Sequence, residues 1–163
     1  MIMGMTAFTA FHVALSLIGI ASGFVVVYGL LIANPMKNWT AIFLVTTVAT
    51  TVTGFLFPFQ GFTPAIGVGI LSSAVLAAVI AARYVFHLAG LWRPIYVAGS
   101  IVALYFNCFV LVVQSFLKIP ALHALAPQGT EPPFAIAQVA VLLAAAVAGT
   151  YALRRFNPPP TTV

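Results

Sequence analysis

The chain has 163 residues, 63% of them hydrophobic and only 4% charged, with a mean hydropathy of +1.18. A water-facing domain draws about a quarter of its residues from the charged set, so this composition excludes one and points to a single domain embedded in a membrane. The net charge of +5 comes from six Lys and Arg residues too scattered to track a phosphate backbone, which sets nucleic acid aside as a partner.

A bilayer core about 30 Å thick takes roughly 20 apolar residues per helix. The first such run covers about residues 6–33. It has no basic n-region before it and is too long for a cleaved signal, so this helix is expected to stay. It stops at Asn34-Pro35, a helix-ending pair followed by Lys37. The second covers about 39–57 and breaks at Pro58, with a tight turn leading to Pro64. The third spans about 65–86, and the fourth about 94–118, with Pro94 suited to a first helical turn. The fifth covers about 133–153, after Pro132-Pro133 and before Arg154-Arg155. Residues 158–163 read as a disordered Pro-rich tail. None of these runs alternates in polarity as barrel strands do. The predicted architecture is therefore all-α, a polytopic transmembrane bundle of about five helices over residues 1–157.

In this threading Lys37, Arg83, Arg93, Arg154 and Arg155 share one side, and Lys118 stands on the other with Glu131, the sole acid. The positive-inside rule then places the N-terminus outside and the C-terminus in the cytoplasm. Trp39 and Trp92 fall at the inner boundary, and Phe57, Phe59 and Phe62 near the outer one.

Helices in lipid associate through small residues and buried polar groups. His12, Ser16, Gly19 and Gly23 share one face of the first helix, the last two as GxxxG. Thr46, Thr50 and Gly54 stripe the second helix, and Gly69, Ser73, Ala77 and Ala81 the third. These stripes are read as packing seams, with threonine hydroxyls bonded to their own helix's carbonyls. Cys108, the single cysteine, reads as a small core residue. Tyr96, Ser100, Asn107, Gln114 and Lys118 form a polar stripe on the fourth helix. Asn107, near the bilayer centre, is expected to face the interior and bond to a neighbouring helix or a trapped water.

Candidate ligand-binding residues gather toward the outer face: His12, Asn107, Gln114, Lys118, His123 and Glu131. Gln60 and Gln138 come toward the same face. The connection over residues 118–133 carries Pro120, Pro127, Pro132 and Pro133, and would lie on the bundle as a cap. The alternative is that a Lys118–Glu131 ion pair simply pins this loop.

The stretch from Lys118 to Phe134, together with Ala137-Gln138, resembles an uncharacterised family of small bacterial membrane proteins. His12-Val-Ala-Leu-Ser-Leu-Ile-Gly and Ala82-Arg-Tyr-Val-Phe are similar to it as well. The resemblance covers most of the chain and implies a multi-pass protein of the bacterial inner membrane, without an activity.

A b-type haem needs two axial ligands at matching depth. His87 is at the wrong end for His12, so His12 would have to pair with His123. Met1, Met3, Met5 and His12 are the soft set that copper(I) would use. A small-solute transporter coupled to protons or sodium normally carries an intramembrane acid, and this chain has none. No nucleophile stands with a base and an orienting group, so nothing marks an enzyme. The expected role is a non-catalytic binding or accessory subunit. It would hold a lipid-like or quinone-like ligand, or dock with other membrane subunits on a larger complex.

Overall fold

The computed structural model describes residues 6–58 and 64–157. The described residues are almost entirely helical and contain no strand. In chain order the helices are α1 (Ala7–Leu31), α2 (Lys37–Phe55), α3 (Pro64–Ile80), α4 (Trp92–Lys118), the single turn α5 (Pro120–His123) and α6 (Pro132–Arg155). A π-helical turn, Ala81–Val85, continues α3. The long helices match the five apolar runs, with ends displaced by a few residues. The largest differences are that α2 begins at Lys37 and ends at Phe55, and that the helix after α3 loosens at Ala81.

Four helices are long and apolar enough to cross a membrane: α1, α4, α6, and α3 with its π-helical turn. The chain is a helical membrane protein. Helix α2 is set apart by its threonines, yet it lies antiparallel to α1 along its length. His12 at the start of α1 meets Thr53 at the end of α2. Gly19 approaches Thr46 and Thr47, and Gly29 approaches Met36. Its 19 residues rise about 28 Å at 1.5 Å per residue, close to the thickness of a bilayer core.

Contacts between helix ends give the topology. Gly99 near the start of α4 faces Val79 near the end of α3. Arg93 reaches the end of α6, and Phe116 stacks edge-on with Phe134 at 5.4 Å. The five long helices thus run alternately up and down, with Ala7 and Arg155 at opposite ends. One end, called here the basic end, holds Lys37, Arg83, Arg93, Arg154 and Arg155. The other, the His12 end, holds Lys118, His123 and Glu131.

The core lies among α1, α2, α3 and α4, and is filled by Val26, Leu30, Phe43, Leu76, Val79, Val97 and Leu104. Helix α4 is its axis, packing on α1, α3 and α6. Helix α6 is peripheral: Ala152 is its one buried residue, and Phe156 just beyond it is fully buried. Gly19, Gly23 and Thr46 act as expected of seams. On the α3 stripe, by contrast, Ser73 and Ala77 are exposed, because α3 turns Leu76 and Val79 to the core instead. A Cβ on Gly23 would come 2.7 Å from Leu104 Cδ1 and 2.9 Å from Phe43 Cε2, so the GxxxG admits α2 and α4 together. Thr46, Thr51 and Thr53 donate to Ile42, Thr47 and Ala49 carbonyls at 2.7, 2.9 and 2.7 Å. This pays the hydroxyls' desolvation inside their own helix. Cys108 is half-buried against the core.

Candidate functional site

The expected interhelical bond of Asn107 is present. Its Nδ2 donates to Thr47 Oγ1 at 3.2 Å, a contact worth about 0.6 kcal/mol by typical measurements in membrane proteins. His12 Nδ1 lies 2.8 Å from Thr53 Oγ1. The Thr53 proton is already directed at the Ala49 carbonyl, so the histidine donates, which fixes its Nδ1–H tautomer. The His12 ring stands edge-on to Phe57 at 5.2 Å. Gln114, Lys118 and His123 are exposed.

No hydrogen bond or ion pair among the described residues links any two of the six candidates. The Lys118–Glu131 ion pair is not formed. Glu131 is turned back into its own loop, accepting from the Gln128 and Thr130 backbone N–H groups at 3.1 and 3.0 Å. The physical reason is local. Gln128 and Thr130 lie in the loop just before α6, and Gly129 between them at φ +70° turns the chain so that their amides face the carboxylate. Met1, Met3, Met5, Phe59, Gln60 and Phe62 lie outside the described residues. Among those described, no group of three or more His, Cys, Asp or Glu is placed to hold a metal.

These amide bonds, led by that from Gln128, hold the Glu131 carboxyl below the usual carboxylate range. A depressed folded-state pKa contributes stability that is present above the ordinary value and lost as pH falls through the folded one. Protection of the Gln128 and Thr130 amides, taken relative to their intrinsic exchange at each pH, should therefore fall on acidification below the usual carboxylate range. Glu131→Gln should remove that pH dependence. Equal protection in both proteins across the acid range would refute these bonds.

The polar stripe of α4 is buried at the opposite end from the one expected. Tyr96 and Ser100 are each 1% exposed, whereas Gln114 and Lys118 at the His12 end lie open. At the basic end Arg83 Nη1 donates to the Tyr96 hydroxyl at 3.3 Å, and that hydroxyl is 3.3 Å from Thr40 Oγ1. The guanidinium also lies 5.4 Å from the centre of the Tyr96 ring and 5.7 Å from that of Tyr84, within cation–π range. Arg93 Nη1 donates to the Leu153 carbonyl at 3.4 Å and to the Phe156 carbonyl. Phe86 stacks on Trp92 at 3.8 Å, bracing a loop in which His87 and Leu88 adopt φ of 48° and 60°, a region that residues with side chains rarely enter.

Two open grooves flank α6. One, of about 620 Å³, runs between α1 and α6 and is lined by Leu31, Leu143, Ala144, Val147, Ala148, Tyr151 and Arg155. The other, of about 350 Å³, lies between α4 and α6, with Ile101, Tyr105, Leu142 and Gly149 in its wall. The first is apolar from mid-bundle to the basic end, where Arg155 supplies its only charge. Sequence reasoning missed both the groove and the Arg83 cluster because it assigned the basic residues to membrane anchoring alone. The available signal was the ratio of six bases to one acid, which leaves arginines at this end without any carboxylate of their own chain. Gln138, in the second turn of α6 toward the His12 end, donates from Nε2 to the Phe109 carbonyl at 3.2 Å, and its Oε1 is buried with no partner among the described residues. Compared with family models, with curated proteins and with solved structures, the chain matches none of them.

Proposed function

We propose that this chain is a non-catalytic binding subunit of the bacterial inner membrane that holds a lipid-like or quinone-like molecule in the groove between α1 and α6. The observation that carries the reading is the groove's polarity. Its wall is aliphatic from Leu143 to Ala148 and ends at Tyr151 and Arg155, so an amphiphile would lay its tail toward mid-bundle and its head at the membrane rim. Its volume falls within the range of small-molecule sites. The gathering of five basic residues at one end supports a cytoplasmic C-terminus. A reporter fused after Val163 that works only on the outer side would overturn that orientation. In this reading the thinly buried α6 is also the side on which the protein meets larger assemblies as an accessory subunit.

The test is mass spectrometry of the native protein after mild extraction, with the absorbance spectrum recorded to separate quinone from lipid. The wild type should retain a bound amphiphile. Ala148→Phe, which fills the groove, should lower its occupancy by about tenfold, equivalent to about 1.4 kcal/mol. Equal occupancy in a folded Ala148→Phe protein would refute the groove as the site.

A further inference from the structure

We propose that Arg83 is the cationic centre of a second site, separate from the α1–α6 groove, which binds a phosphate group at the basic end of the bundle. The inference starts from what the other cations at this end are doing. Lys37, Arg154 and Arg155 are exposed at helix ends, and Arg93 is engaged by two carbonyls of the α6 terminus. Arg83 behaves differently. It is half-buried, and it points inward, to a Tyr96 hydroxyl belonging to a residue 1% exposed.

A cation drawn toward a low-dielectric interior calls for an anion. No acidic side chain supplies one. The chain contains a single side-chain carboxylate, that of Glu131, at the far end of the bundle and bonded within its own loop. The cation–π contacts with Tyr84 and Tyr96 partly offset the charge and fix the plane of the guanidinium. One of its N–H groups is used on Tyr96, and among the described residues no acceptor takes the others. A planar fork of oriented N–H donors matches the paired oxygens of a phosphate. The π-helical turn that carries Arg83 is a feature that recurs at functional sites. The phosphate could come from the headgroup of an anionic phospholipid or from a soluble phosphate. Both share this chemistry, and the experiment separates them.

The full chain in mild detergent is titrated with phosphatidylglycerol and with phosphatidylcholine of the same acyl chains, and bound lipid is counted by native mass spectrometry. The wild type should bind one phosphatidylglycerol at least about tenfold more tightly than phosphatidylcholine. Arg83→Gln should abolish that preference, while Arg154→Gln and Ala148→Phe should keep it. Loss of the groove ligand therefore reads out separately from loss of this site. Arg83→Lys keeps the charge without the fork, and covers the case in which the glutamine variant does not fold. It should retain less than about a third of the wild-type affinity. If millimolar inorganic phosphate alone raises the wild-type melting temperature and displaces phosphatidylglycerol, the site takes free phosphate. If only the lipid acts, it takes the headgroup. A wild type that binds both lipids equally, or a preference unchanged in Arg83→Gln or Arg83→Lys, overturns the proposal.

Discussion

Gly99→Ala should lower the melting temperature in detergent well below that of the Gly149→Ala protein. A Cβ at Gly99 would overlap Val79 Cγ2, well inside any tolerated carbon contact. Val79 is fully buried, and a β-branched side chain has almost no rotamer to which it can retreat. The added methyl must therefore push α3 from α4. Overpacking of this kind costs about 1–3 kcal/mol, which exceeds the fraction of a kcal/mol that alanine regains over glycine in helix propensity. The loss should be recovered in large part by Val79→Ala in the same chain, since that change removes the opposing methyl. Gly149→Ala is the control, because its nearest neighbour would be Ile101 Cγ2 at an ordinary 3.6 Å. If Gly99→Ala melts like the wild type, or if Val79→Ala does not rescue it, the described approach of α3 and α4 is wrong.

The second large effect belongs to Arg93→Gln and should be local. The last carbonyls of a helix have no partner within it, and Arg93 takes up those of Leu153 and Phe156. Hydrogen bonds from a charged donor contribute about 1.5–3 kcal/mol, and a cation at a helix C-terminus adds to this. Packing also holds this end of α6, where Ala152 and Phe156 are fully buried in the core and the Phe156 ring rests 5.9 Å from that of Tyr96, but packing leaves the last carbonyls without donors. Hydrogen exchange over residues 150–157 should rise by about tenfold or more, while α4 itself stays protected. Arg93→Lys should restore part of the protection, since one ammonium can still reach a carbonyl. Unchanged exchange at the end of α6 in Arg93→Gln would show that packing alone holds the helix.

The helices were legible because each depends on a single averaged property. Runs such as Ala65 to Ile80 satisfy the bilayer whatever their neighbours do, and Asn34-Pro35 or Pro132-Pro133 punctuates them locally. Asn107 was legible for a related reason, since an amide at that depth must face inward wherever its partner lies. Its partner, Thr47, was one of several threonines that would have served. The Lys118–Glu131 pair failed because opposite charges in one loop said nothing of the nearer competitor, the amides of Gln128 and Thr130. Nothing in Ala81-Ala82-Arg83-Tyr84-Val85 signals a π-helical turn, because it is tertiary packing that decides where a helix takes an extra residue. The inward reach of Arg83 depends on Tyr96, thirteen residues on, and only the folded antiparallel pair brings them together. Helix α2 shows the opposite case: its threonines depress its hydropathy, yet its neighbours accommodate them once it is packed.

The isolation of Glu131 governs how the molecule responds to its ionic environment. With one side-chain carboxylate in the chain, and that one committed to amides, the described residues hold no attractive ion pair between side chains for added salt to weaken. Screening inside the protein acts instead on repulsion, among the five cations crowded at one end. At physiological ionic strength that repulsion fades over about 8 Å, so salt eases the bundle rather than loosening it. A loss on raising the ionic strength then comes from contacts with other molecules or from charge-assisted bonds within the chain, such as those of Arg93 and Glu131. Ionic strength becomes a probe of what the protein touches, largely separate from whether it is folded.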